Sequence, residues 1–274
     1  MTTKTTTMTT TTAQSSSRRA KMDAGQTEIE KKSMRFSLWT TKARECAVRI
    51  TSSAGEREVA LEPDGEGTFA IDVDVVAHGD RYVFVLDGKE ARDPYARYLP
   101  DGVDIDAKAM VWRSTYEWKH EAPARSTLRE HVISEIHIGT FSPEGTYAGA
   151  MKRLQWLADL GVTAVELMPI HAFPGQRGWG YDGVAHFAPY APYGTPDELR
   201  ALIDHAHGLG LLVFLDVVYN HFGPAGNVLY TYSDAYFTKR ETGWGDAPDF
   251  DHRPMRDYVI DNVRYWLEDF RFDG

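Results

Sequence analysis

The sequence predicts an α/β chain in two parts, a β-sandwich followed by parallel strands that alternate with helices. Three observations predict it. From about 34 to 118 the apolar pattern has period two, and from 131 onward short apolar runs alternate with helical stripes. In that second region the loops leaving the strands are long, while the loops returning from helix to strand are short. Within it, residues 211 to 223, LLVFLDVVYNHFG, stand out: an almost unbroken apolar run reads as a strand buried on both faces.

Bulk properties set the frame. The 274 residues are 42% hydrophobic and 26% charged, ordinary for a globular protein with room for two domains. A formal net charge of −10 argues against nucleic acid or an anionic membrane as the main partner. No apolar run approaches the roughly 18 residues a membrane span needs. The single cysteine, Cys46, cannot form an internal disulfide, so a reducing, cytoplasmic setting is expected. Aromatic residues make up 12%, seven of them Trp, which suits a sugar ligand or simple packing.

Residues 1–33 open as MTTKTTTMTTTTAQSSSRRA, too poor in apolar groups to offset their ordering entropy, and a disordered leader is expected. Residues 34–118 hold the alternating segments MRFSLWT, ECAVRIT, REVALE, TFAIDV and RYVFVLDG, parted by turn residues such as Asp64-Gly65 and Asp87-Gly88. Strands at this spacing form an immunoglobulin-like sandwich, with Val48, Ile50, Phe69, Ile71, Val83 and Val85 expected to face inward. Trp112, Tyr116 and Trp118 either form a sugar platform or pack the sandwich onto the next domain; packing is the expectation. A linker covers 119–130.

From 131, VISEIHI is the first strand. Thr146 caps a helix with the stripe Tyr147, Met151, Leu154, Leu157, Leu160, which ends at Gly161. VTAVELM is the second strand. Thr195-Pro196-Asp197-Glu198 opens the next helix as a capping box with Pro at its first position. The third strand follows, then a helix from near Pro254 burying Met255, Tyr258, Val259, Trp266, Leu267 and Phe270. The long loops support a barrel enzyme, although three strands do not close one.

Chemistry-bearing residues gather on those loops. Asp216, Asn220 and His221 stand where the third strand runs out; they could hold a polyhydroxy ligand or merely tie down the loop. After the second strand, Gly178, Gly180 and Gly183 let the backbone turn around Trp179, Tyr181 and Asp182. An aromatic ring beside a carboxylate suits a sugar, the ring covering its C–H face. Glu135 and Glu166, inward-facing on strands, read as paired, buried structural acids, although they mimic catalytic carboxylates. His137 either lines the pocket or is a hydrogen-bonded core histidine. His205 and His207, two apart on a helix, cannot form a metal pair.

GWGYDG and APYGTPDELRALIDHAHGLGLLVFLDVVYNH resemble the α-amylase superfamily of retaining glycoside hydrolases. Within it, IHIGTFSPEGTY, FPGQRGWGYDG, NHFGPAGN and WLEDFRFDG resemble the malto-oligosyltrehalose trehalohydrolase family, and DPYARYLPDGV its N-terminal sandwich. The resemblance implies that 131–274 is the first three βα units of a (β/α)8 TIM barrel, stopping before strand four. It also implies hydrolysis of the α-1,4 bond next to the trehalose end of a maltooligosyl trehalose. It matches Tyr181 to the tyrosine that stacks under the sugar at the cleavage point. His221 matches the histidine holding that sugar's primary hydroxyl, and Asp216 a supporting aspartate. Asp182 and Trp179 join these as candidate sugar contacts. Asn220 matches a calcium position of many α-amylases. No further ligand set is evident, so a loop-fixing amide is expected, with no metal and no cofactor. In WGDAPDF, Pro248 and Asp249 replace the more usual aliphatic residue and Asn. The nucleophile, the acid/base Glu and the third carboxylate of the family would lie beyond Gly274, so the chain is expected to be an inactive fragment. Branching and debranching enzymes share this plan, and a non-catalytic α-glucan-binding protein is the rival outside enzymes.

Overall fold

The structure, a computed structural model, describes residues 25–27, 33–124 and 127–274. The expected disordered leader therefore falls mostly outside the described residues. Within it, Gly25–Thr27 (β1) forms a strand antiparallel to Ser33–Trp39 (β2), so those three residues belong to a sheet.

The alternating region folds as two antiparallel sheets. β2 pairs with Thr68–Asp74 (β6) in a seven-residue register, and Glu62–Pro63 (β5) closes that sheet. The facing sheet runs Gly55–Ala60 (β4), Cys46–Ser52 (β3), Arg81–Leu86 (β7) and Lys89–Ala91 (β8), with Ala109–Met110 (β9) also on β7. Between them Met34, Phe36 and Leu38 meet Val48, Ile50, Tyr82, Phe84 and Leu86. The inward assignment holds for Val48 and Ile50, and for Phe69 and Ile71 at the margin. It is one residue out on β7. Val48 pairs with Phe84 and Ile50 with Tyr82, so Tyr82 and Phe84 share the core face. Val83 and Val85 point the other way and are buried as well, which is why hydropathy alone could not set the phase.

The second region is a three-stranded parallel sheet in the order Ile133–Ile136 (β10), Ala164–Leu167 (β11), Leu212–Leu215 (β14). Between β10 and β11 run the short helices Ile138–Phe141 (α1), Tyr147–Met151 (α2) and Leu154–Asp159 (α3). Thr146 caps α2 as expected, its Oγ1 accepting from the Gly149 amide at 3.1 Å. The single expected helix is broken between α2 and α3, and Leu160 lies exposed past its end. The loop after β11 carries the ribbon His171–Ala172 (β12) and Ala185–Pro189 (β13). Pro196–Gly208 (α4) then starts on the expected box, with Glu198 accepting from the Thr195 amide at 2.7 Å. The loop after β14 holds Leu229–Tyr232 (α5) and the hairpin Phe237–Thr242 (β15) with Gly245–Pro248 (β16); Pro248 ends that ladder opposite Phe237. Arg253–Asp269 (α6) buries Met255, Tyr258, Tyr265 and Trp266, whereas Leu267 is 41% exposed, a correction to the expected stripe. The final residues then start along β14, Asp273 donating to Val213 O at 2.8 Å and Gly274 O accepting from Leu215 at 3.0 Å.

Packing joins the two regions. Trp112 Nε1 reaches Asp197 at 3.3 Å and Tyr116 OH reaches Asp204 at 2.6 Å, while Arg271 lies over the Trp118 ring. The three aromatics therefore dock residues 112–118 onto α4 and the chain after α6, as the packing expectation has it. Tyr232 is fully buried at the seam, its carbonyl accepting from Thr40 Oγ1 at 2.7 Å and its hydroxyl donating to Arg92 O at 2.9 Å. Among the described residues no helix is long and apolar enough to cross a membrane.

Candidate functional site

The C-terminal ends of β11 and β14 place their two long loops side by side. The Asp216 amide donates to Leu167 O at 2.9 Å, carrying the ladder one residue past β14 and aiming the carboxylate at the open end. Tyr181 comes back over it from the neighbouring loop, its hydroxyl donating to Asp216 Oδ2 at 2.9 Å. Two glycines make the approach feasible. At Gly180, with φ of +92°, a Cβ would stand 2.0 Å from Pro169 O. At Gly223 it would stand 2.2 Å from Asp182 O, and here the Gly223 amide donates to Gly183 O at 3.1 Å.

The resulting cleft, about 660 Å³, is lined by Tyr181, Asp182, Val217, Val218, Tyr219, Asn220, His221 and Trp244. Asn220 Oδ1 sits 2.9 Å from His221 Nδ1, and the Trp244 ring stacks on the imidazole with centroids 5.2 Å apart. Trp244 occupies the tip between β15 and β16 and is 64% exposed. Burial, then the bond to Asp216, pushes the Tyr181 phenol up to about 12, so it remains a donor at neutral pH. Burial, with Glu135 and Asp216 nearby, raises the Glu166 carboxyl above its ordinary range.

Of the six sequence-derived candidates, Tyr181, Asp182, Asp216, Asn220 and His221 come together here. Trp179 does not. It lies edge-on to His137 at 4.9 Å and is absent from the cleft wall. His137 Nε2 is 2.9 Å from both Gly178 O and Tyr193 OH, so it pins the base of the glycine-rich loop. Glu135 and Glu166 are register partners, but Glu135 is exposed and Glu166 only half-buried, so the expected pairing is present and the expected burial is not. Trp244 was missed by sequence reasoning; the one signal was an aromatic residue between Gly243 and Gly245 in a hairpin turn. His207, by contrast, is buried against Asp273 at 3.0 Å and takes no part. Among the described residues no group of three or more His, Cys, Asp or Glu side chains is placed to hold a metal ion.

Comparison with known proteins bears on this geometry. The family model for the alpha-amylase catalytic domain matches residues 109–264, more than half of the chain. A malto-oligosyltrehalose trehalohydrolase from Deinococcus radiodurans is 50% identical over 241 residues, 88% of this chain and 39% of that protein. A second, from Saccharolobus solfataricus, is 40% identical and matches 90% of this chain and 44% of its own length. Thus the chain spans about two fifths of the length of the curated relatives it matches. A crystal structure described as an alpha amylase, from Salmonella typhimurium, superposes with a TM-score of 0.85 at 40% identity over 92% of this chain and 43% of that one. A type I pullulanase from Bacillus subtilis, complexed with maltose, gives 0.82 at 26% identity, over 92% and 42%. The resemblance seen in the sequence is therefore borne out, and the chain belongs to the alpha-amylase catalytic-domain family.

Proposed function

We propose that this chain forms the sugar-gripping part of a (β/α)8 glycoside hydrolase that releases trehalose from maltooligosyl trehalose. The bond cleaved is the α-1,4 link next to the trehalose end, with retention of configuration. One observation carries the reading: Tyr181 donates to Asp216 at the open end of the parallel sheet, with His221 and Trp244 along the same cleft. The relatives named trehalohydrolases support the substrate. A cytoplasmic location is part of the same proposal.

Each side chain has a role its chemistry permits. The half-exposed Tyr181 ring covers the C–H face of the sugar at the cleavage point, while Asp216 fixes its hydroxyl. Asn220 Oδ1 only accepts, so the facing His221 Nδ1 donates to it and Nε2 is left to meet a sugar hydroxyl. The Trp244 ring holds that imidazole from its exposed side. Asp182 accepts from further hydroxyls at the rim.

Retaining hydrolysis also needs a nucleophile and an acid about 5–5.5 Å apart. We assign neither to the acids of this sheet. Asp216 is held by Tyr181, and Glu135 and Glu166 sit side by side on adjacent strands, where neither presents a leaving-group acid opposite a nucleophile. The 274-residue chain, incubated with maltotriosyl trehalose, is expected to release no trehalose above background. Trehalose release that disappears in Glu166→Gln would overturn that assignment. In the complete enzyme the expected product is free trehalose; new α-1,6 links from amylose would instead show a branching enzyme.

A further inference from the structure

We infer that Arg92 is a positioning residue, through which the sandwich holds the Tyr181 loop and the His221 loop against one another. Arg92 follows β8 directly and its side chain is fully buried. Every hydrogen bond that side chain makes among the described residues goes to a backbone carbonyl. Nη1 donates to Val103 O and, at 3.4 Å, to Asp104 O; Nη2 donates to Val184 O at 2.9 Å and to Gly226 O at 2.7 Å. Val184 is three residues past Tyr181, and Gly226 five past His221. One guanidinium thus ties the sandwich to both loops of the cleft.

The two loops also meet directly, through the Gly223 amide on Gly183 O and the Tyr181 hydroxyl on Asp216. Those bonds tie the loops to one another but not to the sandwich. The Arg92 fork adds an attachment at Val184 and Gly226 that is anchored in the sandwich, and so fixes the orientation of both loops relative to it. Desolvating a guanidinium is expensive, and an apolar side chain of similar length would fill the same space without that cost. What only Arg provides is a rigid fork with donors for carbonyls on different segments. Burial pulls its pKa down to about 10, which leaves the group charged and all its donors present at neutral pH. The main chain around it is fastened too, the Arg92 amide donating to Ile105 O at 2.6 Å.

The inference rests on the proposed function only for what the loops do, and not for how they are held. Hydrogen exchange on the 274-residue chain separates the two. In Arg92→Lys, where one ammonium replaces the fork, amides of 181–186 and 221–228 are expected to exchange about tenfold faster, with those of β3 and β11 within about twofold of wild type. Affinity for maltoheptaose is expected to fall about tenfold in parallel. Unchanged loop exchange, or an equal rise in β3 and β11, would overturn the positioning role. Should the substitution prevent folding, the wild-type chain in graded urea gives the answer. The Arg92 and Gly223 amides are expected to open as one unit, and opening at different free energies overturns the inference. A chain whose loops loosen in Arg92→Lys but which never binds maltoheptaose removes the sugar reading and leaves the positioning role intact.

Discussion

At the residue scale, the proposed sugar site draws on both the ring and the hydroxyl of Tyr181. Tyr181→Phe keeps the ring and removes the donor to Asp216; Tyr181→Ala removes both. Maltooligosaccharide affinity is expected to fall about threefold in the first and about tenfold in the second, the latter worth ~1.4 kcal/mol. Equal effects would mean that only the hydroxyl matters. A second residue-scale prediction concerns pH. His171 and His186 are buried with ring centroids 5.0 Å apart. Burial, and then His186 itself, holds the His171 ring well below its ordinary pKa; burial brings His186 down to about 4. Both pKa values are depressed, so the stability of the neutral rings is complete above pH 6.5 and is lost as pH falls from there towards 4. Asp93, raised to about 6 by burial, works in the opposite direction, as does the raised Glu166 carboxyl. Thermal melts are expected to show a lower Tm at pH 5 than at pH 7.5, and the gap to narrow in His171→Phe. Tyr181, Asp216 and His221 were legible in the sequence because strand ends and glycine punctuation locate them. Trp244 and Arg92 were not, since each acts on residues far along the chain that only packing brings near.

Elements were legible wherever a local signal overrode burial. The Thr195 box marked the start of α4, and the apolar run marked β14, whose Leu212 and Val213 are buried while Phe214 and Leu215 are half-buried. The phase of β7 was not legible, because Tyr82, Val83, Phe84 and Val85 are all apolar and all buried, leaving no alternation to read. The break between α2 and α3 was invisible for a related reason: the apolar stripe runs straight across it. On α6 the stripe misassigned Leu267, whose neighbour Trp266 is 2% exposed and donates to Asn262 Oδ1 at 3.2 Å. Trp266→Ala is therefore expected to cost about 3–5 kcal/mol in the 274-residue chain and Leu267→Ala less than about 1 kcal/mol. Urea denaturation of both variants checks this, and comparable losses would mean the helix is rotated from the orientation described.

At the scale of the whole molecule, the sandwich and the parallel sheet are joined through Tyr232, Arg92 and the docked aromatics, so the cleft stands on a shared foundation. The parallel sheet is less fully covered. Ile133 on β10 is 40% exposed, Trp156 on α3 and Ile260 and Val263 on α6 present apolar surface, and Leu160 does so just past α3. Apolar exposure beside an unpaired strand edge favours association. The 274-residue chain is expected to self-associate at micromolar concentration, visible as a mass above 30.9 kDa in light scattering; a strictly monomeric chain would contradict it. The central claim, that the cleft at the ends of β11 and β14 takes an α-glucan, is tested most directly by titrating the chain with maltoheptaose and following side-chain NMR signals. The account predicts that Tyr181, His221 and Trp244 shift together along one saturable curve and that the curve vanishes in Tyr181→Ala. Shifts confined to the sandwich strands, with those three residues silent, would contradict it.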